Sequence, residues 1–164
     1  MRKLTFVAVL AAGALACFPL VMQASAGGDD SVAPVKDATV IKECGACHMV
    51  FQPSFLPARS WQKMMEGLKD HFGENAELDE ATSKRITEYL TANAGDRGFF
   101  SGWATRGHAA SETPLRISET PWFARKHEKR GRISPPALQR SHAKSKSDCA
   151  ACHPDASKGY YEDD

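Results

Sequence analysis

Two five-residue stretches combine thiols with an imidazole at a fixed spacing. In each, two cysteines stand three positions apart and a histidine follows the second: Cys44, Cys47 and His48, then Cys149, Cys152 and His153. This spacing is typical of covalent haem attachment, in which each sulfur forms a thioether with a vinyl group and the histidine ligates the iron. Because the motifs use four of the five cysteines, the sequence predicts two covalently attached haem c groups.

The first 26 residues have the pattern of an export signal. A basic start, Met1-Arg2-Lys3, precedes an apolar run to about Met22, and Ala24-Ser25-Ala26 is a small-x-small cleavage site. We predict a signal peptide over residues 1–26, cleaved after Ala26, and a periplasmic mature protein, because c-type haem is attached outside the cytoplasm. An uncleaved membrane anchor is the alternative, which Pro19 disfavours.

Basic side chains are concentrated in the second half of the chain. Between Arg97 and Lys146 there are 11 basic residues, against Glu112, Glu119 and Glu128. This segment could be a docking face for an acidic partner. Equally, the basic groups could offset haem propionates or simply be solvated. Nucleic acid is a poor partner for an exported cytochrome, and we expect a monomer.

Residues 27–95 are predicted to form a first haem domain. A short helix from Asp37 carries the first motif, with Val40, Ile41 and Cys44 on one side. A second helix extends from about Ala58 to Phe72. A third begins after Asp79, whose side chain is a typical N-cap; its buried face comprises Ile86, Tyr89, Leu90 and Ala94.

The second of these helices carries the candidate sixth ligand of the first haem. Trp61, Met64, Met65, Leu68 and His71 fall on one helical face. An iron with an unfilled axial position favours His71 as its ligand over the alternative of a core histidine. Met64 and Met65 are rival ligands, although methionines on such a face are usually core residues.

Residues 96–164 are predicted to form a second haem-binding domain. Its early part has little periodicity, and we interpret His108 there as a solvated histidine. Thr120 and Pro121 are typical of a helix start, and His127 follows on that helix as the predicted ligand of the second haem. His142 is the rival, although it lies only seven residues before Cys149. Swapped ligation, with His71 on the second haem, stays open. A polar tail closes the chain.

The chain resembles the bacterial dihaem cytochrome c family along nearly all of its predicted mature length. The matching runs are Cys44 to His48, Leu56-Pro57-Ala58-Arg59-Ser60-Trp61, Asp70 to Gly73, Arg116 to His127 and Cys149 to His153. The resemblance implies a small periplasmic electron carrier with bis-histidine haems. Partners implied by it are other redox proteins, such as a membrane b-type cytochrome or a monohaem oxygen-binding cytochrome. Of the candidate iron ligands, the resemblance supports His71 and His127.

The predicted fold is mostly α, with an N-terminal helical domain like class I cytochrome c and a loop-rich second haem-binding segment. The predicted function is electron transfer between redox partners rather than catalysis, because no acid, base or nucleophile constellation is evident. A haem enzyme or a gas-binding cytochrome with one open iron site is the alternative. A zinc or disulfide protein is a third interpretation, which the paired motifs disfavour.

Overall fold

The computed structural model describes residues 31–98, 102, 104–109, 111–128 and 133–161, and the predicted signal peptide lies outside them. Within these residues the protein consists of helices and loops, without strands, which confirms the mostly α prediction. The α-helices are α1 (Ala38–Cys44), α2 (Ala58–Glu66), α3 (Glu80–Ala92), α4 (Pro121–His127) and α5 (Pro135–Arg140). Short 3-10 helices are Pro53–Phe55, Leu68–Asp70, Ile117–Glu119, Cys149–Ala151 and Ala156–Lys158.

Helix α1 places the first cysteine motif directly at its end. The Asp37 carboxylate accepts from the backbone N–H groups of Thr39 and Val40, at 2.8 and 3.1 Å, and so caps the first turn. At the other end, Gly45 donates to the Ile41 carbonyl. A side chain at Gly45 would collide with that same carbonyl oxygen, so this closure needs a glycine.

The first half packs around α3. Helices α1 and α2 both contact it, and Val40, Leu56 and Ile86 are completely buried between them. The indole nitrogen of Trp61 donates to the Pro53 carbonyl at 2.7 Å, which ties α2 to the preceding 3-10 helix. Among the described residues, no helix has the length and apolar character needed to cross a bilayer.

Helix α2 is shorter than predicted. It ends at Glu66, where Gly67 interrupts the α-helical hydrogen bonding, and a 3-10 turn over Leu68–Asp70 follows. His71 then lies in a tight turn, in which its backbone N–H donates to the Glu74 carbonyl at 2.7 Å. Phe72 and Gly73 complete the turn with positive φ angles of 58° and 102°. The low helix propensity of glycine accounts for the early end.

The apolar faces predicted for α2 and α1 are buried to different degrees. On the α2 stripe, Trp61 and Met65 are buried, whereas Met64 and Leu68 are partly buried against the same core. On α1, Val40 is buried but Ile41 is 46% exposed, so the predicted shared side was wrong for Ile41. A seven-residue helix turns only one narrow face to α3, which Val40 occupies.

The second half folds back onto the first. The Val32 N–H donates to the Gly159 carbonyl at 2.8 Å, next to an isolated antiparallel bridge between Ser31 and Tyr160. The rings of Phe55 and Trp122 stack at 5.3 Å. The division at residues 95 and 96 stays a prediction.

Candidate haem-binding sites

The first motif histidine faces a second imidazole. The ring centres of His48 and His71 are 6.2 Å apart, and the ring planes differ by 22°. A metal ion bound by two opposed imidazole nitrogens at about 2 Å each separates the ring centres by about 6 Å. The spacing therefore fits one metal ion between the rings. His71 reaches this position from the turn after α2 rather than from the helix itself.

A carbonyl oxygen orients the motif histidine of this first pair. His48 Nδ1 lies 2.6 Å from the Met49 carbonyl. Because a carbonyl only accepts, Nδ1 carries the proton and Nε2 is left with its lone pair, as metal ligation requires. The Phe51 ring packs on His48 with its centre 5.1 Å away.

His71 lies in a partly buried environment that favours its neutral form. Burial lowers its pKa, and the neighbouring His48 and Arg116 lower it further. The neutral imidazole is the form that binds a metal ion. The Arg116 guanidinium stacks on the Phe72 ring, 4.0 Å from its centre, so a residue of the second half covers the turn that carries His71.

The second motif also faces an imidazole at the same separation. The rings of His127 and His153 have centres 6.2 Å apart, with planes 80° from each other. His127 Nδ1 lies 3.0 Å from the Phe123 carbonyl, one helical turn earlier. This contact places the proton on Nδ1, so that Nε2 carries the lone pair that ligation requires. Phe123 also stacks on the imidazole, with ring centres 4.1 Å apart.

A cavity of about 510 Å³ opens beside this second pair. This volume is in the range of protein sites for cofactors. Its walls combine the second motif, α4, α5 and several aromatic side chains. The lining residues include Cys149, Cys152, His153, His127, Phe55, Trp122, Phe123, Ile117, Ile133, Leu138 and Tyr161. Burial raises the pKa of the Cys149 thiol to about 11, and it also raises the pKa of Cys44. A larger groove, of about 720 Å³ beside α2 and α3, is lined by no motif residue.

The rival ligands of the sequence analysis are one exposed histidine and two methionines of the first core. His142 is exposed just after α5, in a positive-φ conformation of 57°. Met65 is buried in the core and Met64 packs against that core, in line with the alternative that they fill space. In the described part of the chain, no three His, Cys, Asp or Glu side chains converge as a metal site, and the four motif cysteines form no disulfide.

The interpretation of His108 as solvated was wrong. Its side chain is only 6% exposed, and Nδ1 lies 3.3 Å from a Glu112 carboxylate oxygen. The same carboxylate accepts from the Ala109 N–H, and Arg59 of α2 donates to the Ala109 carbonyl at 3.1 Å. The Arg59 side chain of α2 thus holds this loop over His108. Local periodicity does not indicate such a contact.

Sequence reasoning missed three residues near the sites. Tyr161 lies in the segment interpreted as a polar tail, yet its ring lines the second cavity and packs edge-on against His153, with centres 5.6 Å apart. Gln52 is completely buried and contacts Tyr161, and Arg116 covers Phe72. An aromatic residue next to the acidic end of the chain was the available signal for Tyr161.

A helical fold that presents two such motifs, each with a facing imidazole, is that of a c-type cytochrome. The sequence profile of the dihaem cytochrome c family matches residues 40–161. The chain therefore belongs to the dihaem cytochrome c family, as the resemblance predicted, and it carries two covalently bound haem c groups. The donor set fits them, because each site offers two thiols and an opposed imidazole pair.

Solved structures agree with this assignment. A dihaem cytochrome c from Rhodobacter sphaeroides is 47% identical, with a TM-score of 0.72, over 79% of this chain and 99% of that one. A structure of DHC purified from R. sphaeroides is 46% identical, with a TM-score of 0.62 over 77% and 98%. A dihaem cytochrome type c from Shewanella baltica OS155 is 32% identical, with a TM-score of 0.60 over 76% and 86%. No functionally curated protein matches.

Proposed function

We propose that this protein is a periplasmic electron carrier in which two histidines hold each haem iron. His48 and His71 would hold the iron of the first haem, and His153 and His127 that of the second. The cysteine pairs Cys44/Cys47 and Cys149/Cys152 form the thioether bonds. The observation that carries this proposal is the 6.2 Å separation of both imidazole pairs, each containing one motif histidine.

The protein's own residues account for a carrier rather than an enzyme. When bound, each haem iron supplies a one-electron redox couple. With two imidazoles bound to each iron, no coordination position would remain for a substrate or gas, and the ligands would be the same in both redox states. The Met49 and Phe123 carbonyls hold His48 and His127 in the ligating tautomer. Little reorganisation is then needed when an electron arrives.

Electron paramagnetic resonance of the oxidised holoprotein, with the optical spectrum, tests the proposal. We expect two low-spin signals and no methionine–iron charge-transfer band in the red region. A high-spin, cyanide-reactive component in fresh protein would contradict it and favour the haem enzyme or gas-binding alternative.

Alanine substitutions test the ligand assignment. His71→Ala and His127→Ala should each convert one haem, and a different one, to a five-coordinate or ligand-exchanged state. His142→Ala is the matched control, because this histidine is exposed, and it should leave both low-spin signals unchanged. Two unaltered signals in either of the first two variants would refute the ligand in question. Conversion of the same haem by both would refute the pairing.

The location and the partners belong to the same proposal. The basic, apolar and small-x-small segments of residues 1–26 support export, and mass spectrometry of the purified holoprotein should find Gly27 as the first residue. The basic second half supports an acidic redox partner. The family resemblance supports a membrane b-type cytochrome or a monohaem oxygen-binding cytochrome in that role.

A further inference from the structure

A buried polar contact joins the two haem segments. Gln52, four residues after the first motif histidine, is completely buried. Its side-chain Nε2 donates to the Ala156 carbonyl at 2.8 Å, and its Oε1 accepts from the Tyr161 hydroxyl. We call Gln52, Ala156 and Tyr161 the Gln52 clamp. Both ends of the amide are paired, so its orientation is defined by its partners.

The clamp acts on the segment that follows the second motif. Ala156 is completely buried and donates its N–H to the His153 carbonyl at 2.9 Å. The Tyr161 ring meets the His153 imidazole edge-on, with the planes at 61°, and it meets Phe55 in the same way at 82°. Gln52 therefore fixes both the backbone beyond His153 and the aromatic ring beside it.

The clamp is also connected to the first site. Phe51, whose ring packs on His48, is the residue immediately before Gln52. Pro53, immediately after it, accepts the hydrogen bond from the Trp61 indole in the first core. Gln52 is thus held from the side of the first haem, and its hydrogen bonds reach the ligand segment of the second.

We propose that Gln52 and Tyr161 are positioning residues for the second haem, which set the orientation of the His153 imidazole from the segment that carries the first haem. Groups that contact an axial ligand tune the electronic state of the metal through that ligand. The reduction potential and low-spin signal of the second haem then depend on a residue of the first half. This inference rests on the proposed ligation by His153.

Tyr161→Phe tests the clamp with little change in shape. The variant keeps the ring but leaves Gln52 Oε1 without its donor. Tyr160→Phe is the matched control, because this neighbouring tyrosine is 54% exposed. Gln52→Met is a second variant, which keeps an unbranched side chain of similar length and removes both hydrogen bonds. Electron paramagnetic resonance and a spectroelectrochemical titration are measured on each holoprotein, and the second haem is identified as the one that His127→Ala converts.

We expect Tyr161→Phe to shift the low-spin signal and midpoint potential of the second haem while the first stays as in the wild type. Gln52→Met should give a shift at least as large, and Tyr160→Phe none. Unchanged signals and potentials of both haems in Tyr161→Phe, even with a lower melting temperature, would overturn the positioning role. Equal shifts at both haems would overturn it too. A high-spin second haem in the wild type would instead refute the proposed ligation, and the clamp with it.

Discussion

At the scale of single residues, the two facing imidazoles are oriented in different ways. His127 is held by a carbonyl of its own helix and by the stacked Phe123 ring. His71 depends on a four-residue turn, closed by its backbone bridge to Glu74 and by the Asp70 carboxylate, which accepts from the Gly73 N–H. Because a turn contributes fewer backbone hydrogen bonds than a helix, we expect the first site to be the more sensitive to local change.

Gly159 lies where the two ends of the described chain meet, next to Val32. It has a φ of 89°, and a side chain there would collide with the Val32 carbonyl. We expect Gly159→Ala to lower the free energy of unfolding by about 2 kcal/mol or more, because strained backbone and overpacking add. Chemical denaturation of the holoprotein measures this loss.

Gly98 provides the control for that substitution. Its φ of 81° is similar, but nothing lies within 4 Å of the point that an added Cβ atom would occupy. Gly98→Ala should therefore cost only the conformational part, about 1 kcal/mol. Equal losses in the two variants would mean that the contact with Val32 contributes nothing.

At the scale of elements, the junction before α4 positions His127, the proposed ligand of the second haem. The Thr120 hydroxyl donates to the Ile117 carbonyl at 2.8 Å and accepts from the Phe123 N–H at 3.2 Å. Ile117 packs against the first core and also lines the second cavity. This short 3-10 helix therefore connects the first core with the second cavity, and Thr120 links it to α4.

Replacement of Thr120 tests that link. Thr120→Val keeps the volume but removes both hydrogen bonds of a completely buried hydroxyl, so we expect a loss of about 1–2 kcal/mol in unfolding free energy. Thr120→Ser retains the hydroxyl and should lose less. Thermal unfolding followed by circular dichroism measures both, and a valine variant as stable as the serine variant would contradict the capping role.

The Asp37 cap makes the stability of α1 depend on pH. Hydrogen bonding from the Val40 N–H, together with Arg85, holds the pKa of this carboxyl below its usual 3.8. A depressed pKa in the folded state stabilises the protein above the unfolded-state value, and this contribution is lost as pH falls through the folded-state pKa. We expect the wild type to be more stable than Asp37→Asn at neutral pH, and the difference to shrink as the pH falls below 3.8. A pH-independent difference would contradict this.

At the scale of the whole molecule, the two halves of the predicted mature chain differ in the sign of their net charge. Residues 27–95 contain 7 basic and 11 acidic residues, whereas residues 96–164 contain 12 basic and 9 acidic residues. Arg140 and Lys146 line the second cavity, although Lys146 also pairs with Glu128 at 3.1 Å. This polarity would direct an anionic partner towards the second site.

Charge reversal tests the steering. Arg140→Glu and Lys84→Glu make the same change in net charge on exposed residues of the second and first halves. At low salt, we expect Arg140→Glu to slow oxidation of the protein by anionic hexacyanoferrate more strongly than Lys84→Glu does. The difference should vanish towards about 1 M salt, where the screening length falls to about 3 Å. Stopped-flow kinetics measure the rates, and equal slowing by both variants would mean that anions approach no preferred half.

The sequence by itself determined the features that rest on neighbouring residues. The motif spacing predicted the haem c groups, and the Asp79 and Thr120 caps predicted two helix starts, because each of these signals spans only a few positions. A helix from Asp37 was also predicted, but its cap was first seen in the structure. The mostly α fold and the family were also predicted from the sequence. The ligand pairs stay a proposal: His71 and His127 were selected from their predicted positions beside apolar residues and from the family resemblance.

The tertiary structure decided what depends on residues far apart in the chain. Gln52 meets Ala156 and Tyr161 across 104 and 109 positions, and Arg59 closes a loop 50 positions away over His108. Local periodicity does not encode such contacts, because they form only when distant segments of the chain pack together. The early end of α2 has a local cause instead: the apolar stripe continues to His71, but Gly67, a residue of low helix propensity, interrupts the helix.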